Sequence, residues 1–99
     1  MMHGLIGRIR ALPGKRDELA AILAPGEGTM PGCLSYIVAE DPTDADILWV
    51  TEVWVDAAAH KASLQLDSVR AAIAKGRPLI AGFDSYIETR VLGGIGLPK

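Results

Sequence analysis

The sequence predicts an α+β sandwich of the ferredoxin-like kind, an antiparallel sheet and helices in the order β-α-β-β-α-α-β. Three observations predict it. Two apolar segments, 31–41 and 47–55, are separated only by the polar "PTDAD", which makes them an antiparallel hairpin. A helical crossover flanks that hairpin on each side, the split βαβ arrangement. The second hairpin strand, "ILWVTEVWV", is apolar on both of its faces, so both faces of its sheet require cover.

The elements follow in order. "HGLIGRIRAL" (3–12) alternates as a strand, with Leu5, Gly7, Ile9 and Ala11 on one side and Ile6, Arg8 and Arg10 on the other. "PGK" breaks it. "KRDELAAILA" (15–24) places Leu19, Ile22 and Leu23 on one helical face, and Pro25-Gly26 stops it. "PGCLSYIVAED" (31–41) is the second strand and "ILWVTEVWV" (47–55) the third, dense in β-branched and aromatic residues. In the third strand Leu48, Val50, Glu52 and Trp54 share one side, and Ile47, Trp49, Val53 and Val55 the other. Asp56 is a good N-cap for "AAAHKASLQ". Asp67 or Ser68 is expected to cap "SVRAAIAK", whose buried stripe is Val69, Ala72 and Ile73, with Gly76 and Pro78 ending it. "LIAGFDSYIETRVL" (79–92) is the last strand, with Phe83, Ile87 and Val91 expected on its apolar side and Asp84, Glu88 and Arg90 on the other. "GGIGLPK" is a tail without periodicity.

A chain of 99 residues is read as one domain, 1–99. It is 49% hydrophobic, more apolar surface than so small a monomer hides, so a homo-oligomer is expected. No spare element exists to cover the second face of the sheet; a second copy, packed face to face, would do so. The net charge is −2, and the arginines and lysine near the start are answered by Asp17 and Glu18, which argues against nucleic acid. No apolar run approaches the roughly 20 residues of a membrane span. The start lacks the pattern of a signal peptide. A single cysteine, Cys33, precludes an internal disulfide and a cysteine-based zinc site. These points together give the expectation of a reduced, cytoplasmic protein.

"RALPGKRDEL" opening the first helix, "MPGCLSYIVAED" leading the hairpin, and "ILWVTEVWVDAAAHKAS" running from strand to helix resemble the antibiotic biosynthesis monooxygenase family, the small YgiN-like quinol monooxygenases. The resemblance spans about residues 4–91, leaving 92–99 as a tail. Its most telling part is a strand ending Glu-x-Trp, an acidic cap, and a histidine six residues after the Trp: Glu52, Trp54, Asp56 and His60. The resemblance implies a dimeric α/β barrel in which two ferredoxin-like sheets face each other. It implies a pocket in each subunit between sheet and helices, and oxygenation of hydroquinones or polycyclic phenols to quinones by O₂, without flavin, haem or metal. Haem-degrading relatives use an Asn-Trp-His set; this chain has no asparagine, which argues against that activity.

Within that frame His60 is the candidate general base, since imidazole titrates near pH ~6.5. Trp54 is the candidate wall for stacking an aromatic substrate, with core packing as its structural alternative. Glu52, a carboxylate in an apolar strand, is expected either to pair with Arg8 or Arg10 or to stand in a pocket with a raised pKa, and in an active site it would orient the other groups. Tyr36, Tyr86 and Arg8 are candidate pocket residues. Trp49, on the opposite side of the strand, is expected in packing or at an interface. Cys33 is expected as a small core residue, and His3 as solvated at a loose end. No metal ligand set emerges. Two other functions remain open at this stage: a non-catalytic dimeric module that binds small aromatic ligands, and an isomerase or decarboxylase on the same fold.

Overall fold

In the computed structural model, which describes residues 1–25 and 30–97, the sheet is organised by strand alternation. β1 (His3–Ala11) buries Leu5, Gly7, Ile9 and Ala11, the alternate positions expected. It lies between two antiparallel neighbours, β3 (Ile47–Trp54) and β4 (Ile80–Arg90), and β2 (Cys33–Glu40) adds to the far edge of β3, giving the order β2-β3-β1-β4. α1 (Arg16–Leu23), α2 (Ala57–Ser63) and α3 (Asp67–Gly76) complete the predicted βαββααβ order, with a single 3₁₀ turn (Arg77–Leu79) leading into β4. This is the ferredoxin-like α+β fold.

The core sits between the sheet and the helices. Leu19 of α1 is fully buried against Ile9, Ala11, Leu48 and Val50, with Leu23, Val38 and Ile80 around them. The β1 and β3 residues in that list each come from the side of the strand read from the sequence. Gly76, at the end of α3, is buried where a methyl group would stand 3.3 Å from Leu19 Cδ1; its small size lets α3 approach α1.

The turn between β2 and β3 is held by one side chain. Asp41 Oδ1 accepts from the backbone nitrogens of Thr43 (2.9 Å) and Asp44 (3.0 Å), and Oδ2 accepts from Trp49 Nε1 at 2.8 Å. These donors hold the Asp41 carboxyl well below the usual range, Trp49 first among them. Arg16 then ties the start of α1 to this turn, donating to the Asp44 carbonyl at 2.9 Å and pairing with Glu40 at 3.2 Å.

Two local expectations are corrected. α3 has no side-chain cap: Leu66 occupies the N-cap position and Asp67 is the first helical residue, where its charge meets the positive end of the helix dipole. Asp56, by contrast, caps α2 as expected, accepting from Ala59 N at 2.7 Å. β4 does not keep one apolar side. Its register against β1 jumps from Arg8–Ser85 to Ile9–Phe83, so Asp84 is an extra, bulged residue. Phe83 therefore faces the helix side of the sheet opposite Ile9, while Ile87 faces the other side opposite Ile6. Of the predicted helix stop Pro25-Gly26, the glycine lies outside the described residues, as do the last two residues of the tail.

Among the described residues the second face of the sheet carries no helix. A cross-strand row runs over it, Ile37–Thr51–Ile6–Ile87, with Ile37 56% and Ile87 51% exposed. At one end of this face Arg8 and Arg10 converge on the bulged Asp84, Arg10 Nη2 at 2.7 Å from Oδ2 and Arg8 Nη1 at 3.6 Å, and the Arg8 guanidinium lies 5.5 Å from the centre of the Trp49 ring. No helix among the described residues is long and apolar enough to cross a membrane.

Candidate active site

A cavity of about 430 Å³ opens between the helix side of the sheet and the helices, within the ~300–1,000 Å³ usual for small-molecule sites. α1 contributes Ile22 and Leu23; Met30 stands before β2; α2 contributes His60 and Leu64; α3 contributes Ser68, Val69, Ala72, Ile73 and Lys75. The sheet contributes two side chains, Tyr36 from β2 and Glu52 from β3. These two are cross-strand partners, which places phenol and carboxylate side by side. The Val69, Ala72 and Ile73 stripe, expected to be packed core, lines the cavity instead, and Ile73 keeps 39% of its surface exposed.

The polar residues of the cavity are organised by a residue behind them. Trp54 is 1% exposed and does not border the cavity. Its indole Nε1–H donates to Glu52 Oε1 at 3.0 Å, two residues back on the same side of β3. The His60 ring stands edge to face against the indole at a centroid distance of 5.3 Å. A single buried side chain thus touches both a carboxylate and an imidazole that face the cavity. α2 reaches this position because Asp56 caps it immediately after the strand ends, so His60 arrives one turn later over Trp54. Ser63, the one buried polar side chain of α2, donates its hydroxyl to the His60 carbonyl at 2.6 Å and leaves the imidazole free to face the cavity.

Burial and the Glu52 charge together set the local electrostatics. The Tyr36 phenol is pushed up to about 12, first by burial and then by the charge of Glu52 and of Cys33. The Cys33 thiol is raised for the same two leading reasons, with the Ser35 carbonyl accepting its weak hydrogen bond. Tyr36 is therefore a hydrogen-bond donor at any physiological pH.

The structure brings His60, Glu52 and Tyr36 to the cavity with Trp54 behind them, and places Arg8 and Tyr86 away from it. The ion pair expected between Glu52 and Arg8 or Arg10 is absent, because strand parity forbids it. Glu52 lies opposite Leu5 on the helix side, whereas Arg8 and Arg10 lie opposite Trp49 and Ile47 on the other. For the same reason Arg8 is not a pocket residue. Tyr86, also expected at the pocket, sits on β4 opposite Gly7 and edge to face against Phe83, 53% exposed and outside the cavity lining. Trp54 offers no open face for stacking. His3 is not at a loose end: it is half-buried in β1, opposite Trp54, with its ring centroid 6.2 Å from that of His60. Met30, Ser68 and Lys75 were not anticipated. For Ser68 and Lys75 the available signal was helical spacing, since they flank the apolar stripe of α3. Among the described residues no group of three His, Cys, Asp or Glu side chains could hold a metal ion.

Comparison with known proteins adds a lineage to this geometry. The family model for antibiotic biosynthesis monooxygenases matches residues 2–75. A crystal structure from Chloroflexus aurantiacus J-10-fl, provisionally named an antibiotic biosynthesis monooxygenase, is 58% identical, covering 99% of this chain and 100% of its own, with a TM-score of 0.95. One from Caulobacter crescentus CB15, with the same provisional name, is 26% identical over 89% of this chain and 85% of its own, TM-score 0.74. One from Deinococcus radiodurans, 22% identical over the whole of both chains with a TM-score of 0.76, shares the fold. No curated protein matches.

Proposed function

Because this chain belongs to the antibiotic biosynthesis monooxygenase family, we propose that it oxygenates a hydroquinone or small polycyclic phenol to a quinone with O₂, in the cavity beneath α2 and α3. One observation carries the reading: three hydrogen-bonding side chains, His60, Glu52 and Tyr36, meet on an otherwise largely apolar cavity sized for a small aromatic molecule.

The reaction asks for a base, a dry pocket and orientation. His60 takes the proton of the substrate hydroxyl. The resulting phenolate is electron-rich enough to pass one electron to O₂. The two radicals combine, forming a carbon–oxygen bond and a peroxide, and loss of water leaves the new carbonyl. One O₂ is consumed, one oxygen atom enters the product and the other leaves as water. O₂ is the oxidant, and the substrate supplies all the electrons, so no flavin, haem or metal is required. Tyr36, held protonated, donates a hydrogen bond to developing negative charge on oxygen. Ile22, Met30, Leu64 and Ile73 form the apolar walls.

The same reading includes a homodimer in the cytoplasm. The exposed Ile37 and Ile87 and the uncovered row between them support a second copy packed sheet to sheet, which would cover the face the helices leave bare.

The deciding measurement is oxygen uptake with a panel of hydroquinones and naphthols, with and without a chelator. Protein-dependent uptake that survives the chelator and falls at least tenfold in His60→Ala supports the mechanism. No uptake on any substrate, or uptake unaffected by His60→Ala, refutes it. Saturable binding with the ligand recovered unchanged would make the protein a binding module instead.

A further inference from the structure

Glu52 uses only one of its two oxygens. Oε1 accepts from Trp54; Oε2 has no hydrogen-bond partner among the described residues, and the side chain borders the cavity. A carboxylate oxygen is an acceptor and never a donor, and leaving it unpaired as a ligand displaces water is unfavourable. Trp54 cannot swing away to relieve this, being buried at 1% exposure under His60. The cavity therefore presents a fixed, unmatched acceptor to anything that enters.

We propose that Glu52 Oε2 accepts a hydrogen bond from a second hydroxyl of the substrate, which makes the site selective for dihydroxyaromatics over monohydroxy compounds and O-methyl ethers, with Trp54 as the positioning residue that holds the carboxylate. The proposal rests on the reading that this cavity takes a phenolic molecule. It goes further by distinguishing the two ends of that molecule. The Glu52 charge, which adds to burial in raising the neighbouring Tyr36 phenol, likewise disfavours ionisation of a substrate hydroxyl set against Oε2, so that hydroxyl stays a donor. The hydroxyl that loses its proton is then the one facing His60. A ligand with one hydroxyl can satisfy His60 or Glu52 but not both.

Binding under nitrogen separates this from turnover. Naphthohydroquinone and its mono-O-methyl ether are titrated into the protein by calorimetry. A site built around a hydroxyl discriminates strongly against analogues lacking it, so the wild type is expected to bind the hydroquinone roughly tenfold or more tightly than the ether. In Glu52→Gln the amide oxygen still serves Trp54, but an N–H₂ donor now faces the cavity, and the preference should vanish. In Trp54→Phe the carboxylate remains but is no longer held, and the ratio of the two affinities should shrink; a general loss of packing would weaken both ligands without moving the ratio. Equal affinities in the wild type overturn the proposal, as does a ratio unchanged in Glu52→Gln, or no binding of either compound. The wild-type ratio alone decides the matter should a variant fail to fold. Discrimination in binding without oxygen uptake would sink the oxygenase reading and leave Glu52 in this role; uptake without discrimination would sink the role and leave the oxygenase.

Discussion

Trp54→Phe tests whether one buried indole organises the site. The substitution keeps an aromatic ring under His60 and removes two things. The first is the Nε1–H bond to Glu52 Oε1, 3.0 Å long. A hydrogen bond to a charged group contributes about 1.5–3 kcal/mol. The second is the extra area of the indole, fully buried here, worth about 1 kcal/mol at ~25 cal/mol per Å². Together they predict a loss of about 3 kcal/mol, a large share of the ~5–15 kcal/mol that holds a typical domain folded. Urea unfolding at one fixed protein concentration should show the midpoint falling by roughly 2 M with little change in slope. A double-mutant cycle with Glu52→Met, which removes the acceptor but keeps the length of the side chain, isolates the bond itself and should return a coupling of about 1–3 kcal/mol. A Trp54→Phe protein within about 1 kcal/mol of the wild type, or a coupling below about 0.5 kcal/mol, would show that the indole merely fills space.

Three other outcomes are expected. The Tyr36 phenol sits at about 12 in the fold, against 10.0 as its ordinary value, so the folded state favours the protonated form. That contribution is complete below pH 10.0 and is lost as pH rises toward 12; urea midpoints should fall across this window, and Tyr36→Phe should flatten the fall, whereas superimposable profiles would refute the assignment. Gly32→Ala places a methyl group 2.6 Å from Ala59 Cβ at a φ of +84°, so a loss of about 2 kcal/mol or more in urea unfolding is expected, with displacement of α2 lowering any His60-dependent uptake. Ile87→Glu puts a charge into the exposed apolar row opposite Ile6 and should turn the proposed dimer into a monomer in sedimentation velocity at micromolar concentration; a persistent dimer would place the interface elsewhere.

What was legible in the sequence was what alternation and capping control. The hairpin, the parity of β1 and β3, and the Asp56 cap each depend on a few neighbouring residues, and each is found as read. What was not legible depended on register between distant segments. The bulge at Asp84 inserts one residue into β4 and moves Phe83 to the other side of the sheet; nothing in "AGFDSYIE" announces it, because its partner is the Arg8 and Arg10 pair some 75 positions earlier. Of the two expectations for Glu52, the pairing with Arg8 or Arg10 rests on charge alone, and the β1–β3 register puts those arginines on the opposite face. The apolar stripe of α3 was visible, but periodicity cannot tell a helix face that is packed solid from one that lines a void. His3 looked peripheral by position and is central by pairing, since antiparallel register sets the start of β1 beside the end of β3.

These results imply a division of labour along β3 that a single strand can sustain only because its period is two. The even positions, Leu48, Val50, Glu52 and Trp54, run in order from solid core to cavity: the first two pack against Leu19 or its neighbours, the third faces the cavity, and the fourth is buried behind it. The odd positions, Ile47, Trp49, Thr51 and Val53, lie on the other face, where Ile47 is itself fully buried. Substitutions at Glu52 and Trp54 should therefore change ligand recognition or stability, whereas those at Thr51 and Val53 should test the proposed sheet-to-sheet dimer. A one-residue slip in register would exchange Glu52 with Thr51 or Val53. The Arg10–Asp84 pair and the Trp49–Asp41 bond sit on the outer face at the opposite end of the strand from Trp54, where they pin that register from outside the site.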